Sequence, residues 1–237
     1  GGALDQHRQT PDPASSWFRS DNLVAGAVMA LRIDVVSDVI CPWCFLGKRR
    51  LDRALSLIHD VDVEVIFRPF FLDPSIPPEG LDRHAYMAAK FGEERLKTIH
   101  DPLVAAGAAE GVPYRFDLIT RTPNTLNAHR LLRLAQPAGV QANVAEALFM
   151  AYWHHGQDVG DTEVLTTIAV INGFKAEQIR DYLGSDTDVD KVMTEVTQAQ
   201  EIGVTGVPTF ILGSRYGVVG AQSPEYLAQS IRKAAQS

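Results

Sequence analysis

Ser37-Asp38-Val39-Ile40-Cys41-Pro42-Trp43-Cys44 carries both cysteines of the 237-residue chain, three positions apart. Its flanks say what kind of elements hold them. Upstream, Leu31-Arg32-Ile33-Asp34-Val35-Val36 is short and β-branched, the pattern of a strand. Downstream, Leu51, Ala54, Leu55 and Ile58 recur at i, i+3, i+4 and i+7, the pattern of one helix face. A strand therefore feeds straight into a helix. Pro42 suits the first helical position, because an N–H there would have no intrahelical partner and the fixed φ of proline is already helical. This places Cys41 at the N-cap and Cys44 one turn in.

At an N-cap, unpaired backbone N–H groups and the positive end of the helix dipole favour a thiolate over a thiol. Cys41 thus reads as the attacking sulfur. Cys44, a turn deeper, reads as the thiol that resolves the mixed disulfide Cys41 forms. Zinc would need two further ligands, yet there is no second Cys pair, and His154 and His155 are adjacent rather than at i, i+3 or i, i+4. A structural disulfide closing so short a loop would add little stability. Two cysteines seldom fall three apart by chance, and the spacing beside a strand-helix pattern reads as a redox-active, thioredoxin-like Cys-X-X-Cys site with no metal.

The whole chain sets wider bounds. With 46% hydrophobic and 22% charged residues it has the make-up of an ordinary globular protein. A net charge of −7 argues against a nucleic-acid partner, and no apolar run reaches the roughly 18–20 residues of a membrane span. Because both cysteines serve one motif, no disulfide framework of the secreted kind remains, and a reducing, cytoplasmic compartment is the expectation. Residues 1–28 mix Gln, Asp, Pro and Ser without period and read as a tag remnant or upstream extension, with Met29 a natural start.

Further along, Val61 to Phe67 alternates apolar and polar residues and predicts a strand. Pro69, Pro74, Pro77, Pro78 and Gly80 then predict a loop. From Arg83 to about Gly203 the patterns are helical, with no convincing strand. Ala128, Leu131, Leu132 and Ala135 form one face, and Val189, Val192, Val196 and Ala199 another that ends at Gly203. Asp161 opens a further helix that Gly173 ends, and Lys175 to Leu183 gives a short one. The β pattern returns at Gly206 to Leu212 and Arg215 to Gly220, before a last helix from Pro224 to about Ala235. Pro208, in a strand that looks central, must sit at the strand's start or follow a cis Val207–Pro208 bond; the segment leaves both open.

Three stretches carry a closer likeness: Ser37 to Arg49, Arg121-Thr122-Pro123-Asn124-Thr125-Leu126-Asn127-Ala128-His129-Arg130, and Gly203-Val204-Thr205-Gly206-Val207-Pro208-Thr209-Phe210. With the order of elements, they resemble the DsbA-like branch of the thioredoxin superfamily, and within it the FrnE-type dithiol–disulfide isomerases, from Leu31 to the C-terminus. The resemblance implies an α/β, thioredoxin-like fold with a large all-helical insertion. The thioredoxin-like domain would be split between residues 29–80 and 204–237, and the insertion would span 81–203. It also implies a cis peptide before Pro208 facing the disulfide, and thiol–disulfide exchange on protein, peptide or small-molecule disulfides. The only redox group would be the Cys41–Cys44 pair, with glutathione or another low-molecular-weight thiol as co-substrate.

Kappa-class glutathione transferases and 2-hydroxychromene-2-carboxylate isomerase share that insertion but carry serine where this chain has Cys41, so glutathione-dependent transfer or isomerisation is the alternative. A second alternative is a non-catalytic module that holds peptides against the Val207-Pro208 edge, which the retained cysteines oppose. Pro42, Trp43, Val207 and Pro208 are the expected substrate-binding residues, Trp43 because a helix N-terminus offers it no core to fill. Family comparison places Asn124 near the cleft, whereas its position beside Pro123 reads as a helix N-cap. Lys48, Arg49 and Arg50 either add positive potential near Cys41 or form a solvated face. Asp38 either relays protons or caps a turn. The direction of exchange, the electron partner and the oligomeric state stay open.

Overall fold

A computed structural model describes residues 30–236. The readings of residues 1–28 and of Met29 lie outside the described residues. Strand β1 (Leu31–Ser37) runs into helix α1 (Pro42–Ser56), which returns the chain to β2 (Val63–Pro69), parallel to β1 with Leu31 opposite Val63 and Ser37 opposite Pro69. Parallel strands need such a crossover, and the helix pattern after Pro42 supplies it. The chain comes back to this sheet only at β5 (Thr209–Leu212) and β6 (Tyr216–Val219), both antiparallel to their neighbours, and closes with α10 (Pro224–Ala235). The strand order is β2-β1-β5-β6. β1 is central, which is why Ile33, Val35 and Val36 are all buried although they point to opposite faces.

Between β2 and β5 lie α2 (Arg83–Phe91), α3 (Glu93–Leu96), α4 (Asp101–Ala109), α5 (Leu126–Ala135), α6 (Gln141–Trp153), α7 (Thr162–Ile171), α8 (Ala176–Gly184) and α9 (Val189–Glu201). The expected faces are present. Ala128, Leu131, Leu132 and Ala135 are buried on α5, as are Val192, Val196 and Ala199 on α9. Asp161 caps α7 by accepting from the N–H groups of Glu163 and Val164. Past α9, Gly203 turns the chain at φ 91°, a conformation suited to glycine.

Two expectations need correction. The insertion is not free of strand: β3 (Leu81–Asp82) and β4 (Arg121–Thr122) pair as a short antiparallel ribbon. Two-residue strands carry no alternation to read, and their pairing joins positions some forty residues apart. Pro69 does not begin a loop either; it ends β2. β2 is the outer strand, so a missing N–H on its free side costs no ladder bond.

The helical layer is fastened to the sheet by side chains that meet backbone. Gln141 accepts from Phe67 N at 2.8 Å and donates to Phe67 O at 3.1 Å, covering part of the open edge of β2. Buried Asp34 pairs with Arg32 and with Arg68, each at 2.8 Å, and Arg68 reaches Glu195 of α9 at 3.2 Å. Arg130 of α5 is 2% exposed and donates to four carbonyls at the end of α8 and just beyond it. One hydrophobic cluster runs through both parts, from Ile33 and Leu212 of the sheet to Trp153 and Leu165 of the helices.

Gly47, inside α1, is where this helix touches the segment before β5. A Cβ there would lie 2.8 Å from Cγ of Pro208 and 3.3 Å from Cζ of Phe210. Alanine would gain about 1 kcal/mol of helix propensity. Overpacking a rigid ring and a buried phenyl typically costs about 1–3 kcal/mol, so the clash wins. Gly47→Ala is expected to lower the urea midpoint with the slope unchanged; a midpoint at or above that of the parent protein would show that the Pro208 segment yields.

Candidate active site

Cys41 occupies the N-cap of α1 at φ −91°, ψ 113°, and Pro42 is the first helical residue. The turn leading in is closed by Cys41 N donating to Asp38 O at 3.1 Å, and the helix begins with Cys44 N donating to Cys41 O at 3.0 Å. Both cysteines are free thiols. The Cys41 thiol donates to the carbonyl of Val207 at 3.6 Å, across 166 residues of chain. The Val207–Pro208 bond is cis. Pro208 itself lies behind, its ring against Gly47, so that Val207 is the residue presented to the sulfur.

Cys44 is 1% exposed. Burial pushes its thiol well above the ordinary value, helped by the hydrogen bond it makes to Cys41 and by that neighbour's charge. At neutral pH it is therefore a protonated thiol held next to Cys41. Iodoacetamide at pH 7 is expected to place one carbamidomethyl group per chain, on Cys41, with Cys44 following only on the alkaline side of pH 9. Peptide mass mapping reads this directly, and equal labelling of the two cysteines would overturn the assignment of the attacking sulfur.

Residues of the helical layer hold the motif in place. The Trp153 indole donates to Val39 O at 2.8 Å, and the Tyr114 hydroxyl donates to Pro42 O at 2.5 Å. Phe45 stacks on Phe149 with centroids 5.3 Å apart. Burial, and then the nearby cysteines, push the Tyr114 phenol far above its usual range, so it stays a donor. Asp38, 1% exposed, accepts from Leu72 N at 2.8 Å and lies 3.3 Å from Nε2 of His129, which also reaches Phe70 O at 3.1 Å. It braces the turn before Cys41 against the chain after β2 and against α5.

A cavity of about 460 Å³ opens over the thiol. Cys41, Pro42, Trp43 and Val207 line it, together with Trp153 and Arg83. Trp43 is 40% exposed, at the surface as expected. Asn124 does not line this cavity. Its amide is spent on backbone, donating to Ile76 O at 2.8 Å and accepting from Leu126 N at 3.0 Å, and the cap position of α5 belongs to Thr125. It faces a separate, smaller cavity. Nor do Lys48, Arg49 and Arg50 lend free charge to Cys41: the first two pair with Glu146 and the third with Glu110. Trp153, Tyr114 and Arg83 were not singled out by the sequence, because nothing in a helical repeat marks which residue faces a motif more than forty positions away. Among the described residues no cluster of His, Cys, Asp and Glu could hold a metal ion, and no helix is long and apolar enough to cross a membrane.

Comparison with known proteins agrees with this fold. A probable DsbA oxidoreductase from Streptomyces coelicolor is 34% identical, and its crystal structure matches 87% of this chain and 91% of its own with a TM-score of 0.80. At the level of fold alone, 2-hydroxychromene-2-carboxylate isomerase matches at 16% identity and a TM-score of 0.66, covering 86% of this chain and 96% of its own. The cytosolic disulfide reductase DsbM of Pseudomonas aeruginosa, solved with GSH, also matches at 16% identity, with a TM-score of 0.56 and coverage of 86% and 96%. The model of the DSBA-like thioredoxin domain matches residues 32–232, nearly the whole described chain, and the protein belongs to that family.

Proposed function

We propose that the protein is a thiol–disulfide oxidoreductase or isomerase that works through Cys41 and Cys44 on protein or small-molecule disulfides. The observation that carries the reading is the placement of the two sulfurs: Cys41, 3% exposed, at a helix N-cap on the wall of a cavity and facing Val207, with Cys44, 1% exposed, one turn in and off the cavity wall. In the reducing direction, the Cys41 thiolate attacks one sulfur of a substrate disulfide. That S–S bond breaks, a Cys41–substrate disulfide forms, and the first substrate sulfur leaves as a thiolate that takes up a proton. Cys44 then gives up its proton and attacks Sγ of Cys41. The mixed disulfide breaks, the second substrate thiol leaves, and the Cys41–Cys44 disulfide holds the two electrons' worth of oxidation. Two equivalents of a low-molecular-weight thiol return the protein to the dithiol.

Val207 takes part through its backbone. With its carbonyl already directed at Cys41, the segment before β5 offers an extended substrate an edge to pair with beside the sulfur. Trp43 and Pro42 form the rim. A glutathione-dependent isomerase or transferase would activate the thiol of its ligand, whereas here the protein supplies two sulfurs of its own. A cytoplasmic location fits a chain whose only cysteines serve this site.

The test is stoichiometric. Reduced protein mixed with excess 2-hydroxyethyl disulfide is expected to lose both free thiols and about 2 Da of mass, the signature of an internal disulfide formed by exchange. Stable adducts on both cysteines, or unchanged thiol content, would sink the proposal.

A further inference from the structure

Arg83, in the first turn of α2, is 8% exposed. Among the described residues no carboxylate pairs with it. Its one side-chain hydrogen bond goes to the Tyr152 hydroxyl at 3.1 Å, and its guanidinium lies 5.5 Å from the centre of the Trp153 ring. A buried cation without counter-charge is costly, and proteins ordinarily pair it or saturate its donors. This chain does so elsewhere: Arg130, also buried, donates to four carbonyls and to the Asn127 side chain. Arg83 leaves most of its donors uncommitted, on the wall of the cavity that holds Cys41.

The rest of that wall has the same sign. Lys90 and Arg95 line the cavity and no Asp or Glu does, in a chain with 29 acidic residues against 22 basic ones. Lys90 lies over Tyr86, 5.2 Å from the ring centre, with Asp73 3.9 Å from its Nζ; Arg95 lies over Phe91 at 5.9 Å. Burial and then the charge of Arg83 lower the pKa of His100, so this fourth basic group is neutral at pH 7. The cavity therefore offers a reactive sulfur, aromatic walls and a largely buried arginine with donors open to the cavity, within a volume suited to a small molecule.

We infer that Arg83 is the anion-binding residue of a substrate subsite beside Cys41, and that the substrate is a small thiol or disulfide carrying a carboxylate. A carboxylate fits the guanidinium fork with two parallel hydrogen bonds and supplies the missing counter-charge. This assignment rests on exchange at Cys41 as proposed above, and the bonds made and broken are the same. Arg83 acts by holding the far end of the substrate so that its sulfur meets Cys41.

Alkylation tests the subsite without redox turnover. Iodoacetate carries a carboxylate and iodoacetamide does not, so their rate ratio at Cys41, normalised to a free cysteine peptide, reads the attraction. The parent protein is expected to favour iodoacetate by about tenfold or more, the scale of one charge-assisted hydrogen bond. Arg83→Met should bring the ratio near unity, and Arg83→Lys should restore part of it. Arg83→Met should also raise KM for glutathione disulfide by a similar factor while leaving KM for the cationic disulfide cystamine unraised.

A parent ratio near unity, or one that Arg83→Met leaves in place with the melting temperature unchanged, would overturn the inference. If Arg83→Met fails to fold, the double variant Lys90→Met/Arg95→Met reads the same field from exposed positions. It should lower the ratio about threefold, as screening by about 0.5 M salt should in the parent protein; a ratio unmoved by both is again fatal. Should the alkylation ratios behave as expected while neither disulfide is turned over, the subsite stands and the exchange reading falls.

Discussion

Cys41→Ser is expected to abolish disulfide exchange, by roughly a thousandfold or more, because a hydroxyl at the N-cap remains protonated at neutral pH and cannot replace a thiolate as nucleophile. Cys44→Ala is expected to fail differently. Cys41 still lines the cavity and still attacks, but nothing behind it can release the product, so the protein accumulates as a mixed disulfide with its substrate. The two variants separate the roles. Incubated with a disulfide substrate and run without reductant, Cys44→Ala should show adducts that dithiothreitol removes, and Cys41→Ser none. Trapping by both variants, or by Cys41→Ser alone, would reverse or refute the assignment. Cys41→Ser is nearly isosteric and Cys44→Ala removes a single buried atom, so melting temperatures close to the parent's serve as the control that chemistry and not folding was lost.

Arg130→Met is expected to produce the largest loss of stability. The guanidinium donates to Tyr182 O at 2.6 Å, Ser185 O at 2.7 Å, Thr187 O at 2.9 Å and Leu183 O at 3.1 Å, and to Asn127 Oδ1 at 2.8 Å. It also packs 4.8 Å from the ring centre of Tyr182. Of the carbonyls at the end of α8, Tyr182 O also accepts from the N–H and hydroxyl of Ser185, and the helix dipole adds negative potential where the cation sits. Methionine fills the space but donates to none of these acceptors, and the buried Leu183 carbonyl loses this donor. Removing a buried, fully bonded charge in this way costs about 3–5 kcal/mol. For a chain of this size that is roughly 6–20 °C in melting temperature. Arg130→Lys should recover less than half, since one ammonium cannot reach acceptors spread over four residues. Thermal unfolding followed by circular dichroism measures both, with Cys41 alkylation below the transition as the check that the site is intact. A loss under about 1 kcal/mol would mean that water satisfies the carbonyls and that Arg130 is not the anchor it looks to be.

Much of this molecule could be read locally. Pro42 at the first helical position puts Cys41 at the N-cap with no help from the rest of the chain. Asp161 caps its helix through N–H groups two and three residues away. The apolar faces of α5 and α9 follow from spacings of three and four. Each depends on neighbours within about one turn, which is the range over which a sequence states its own geometry.

What lay outside that range was decided by packing. β3 and β4 are too short to show a period and exist because they meet. Asn124 reads from the sequence as a cap beside Pro123 or a cleft residue, and the approach of Ile76 commits its amide nitrogen to backbone. Lys48, Arg49 and Arg50 look like a basic patch until α6 and the residue after α4 bring Glu146 and Glu110 to them. The cavity itself is assembled from α1, the segment before β5, α2 and the end of α6. By itself the sequence determined the sulfur pair, its helix and the alternation of elements, because backbone propensity and capping act through adjacent residues. Only the tertiary structure decided which cations are paired and that Arg83 shares the cavity of Cys41 without a carboxylate partner, because a charge is neutralised by whatever lies nearest in space, wherever that lies in the chain.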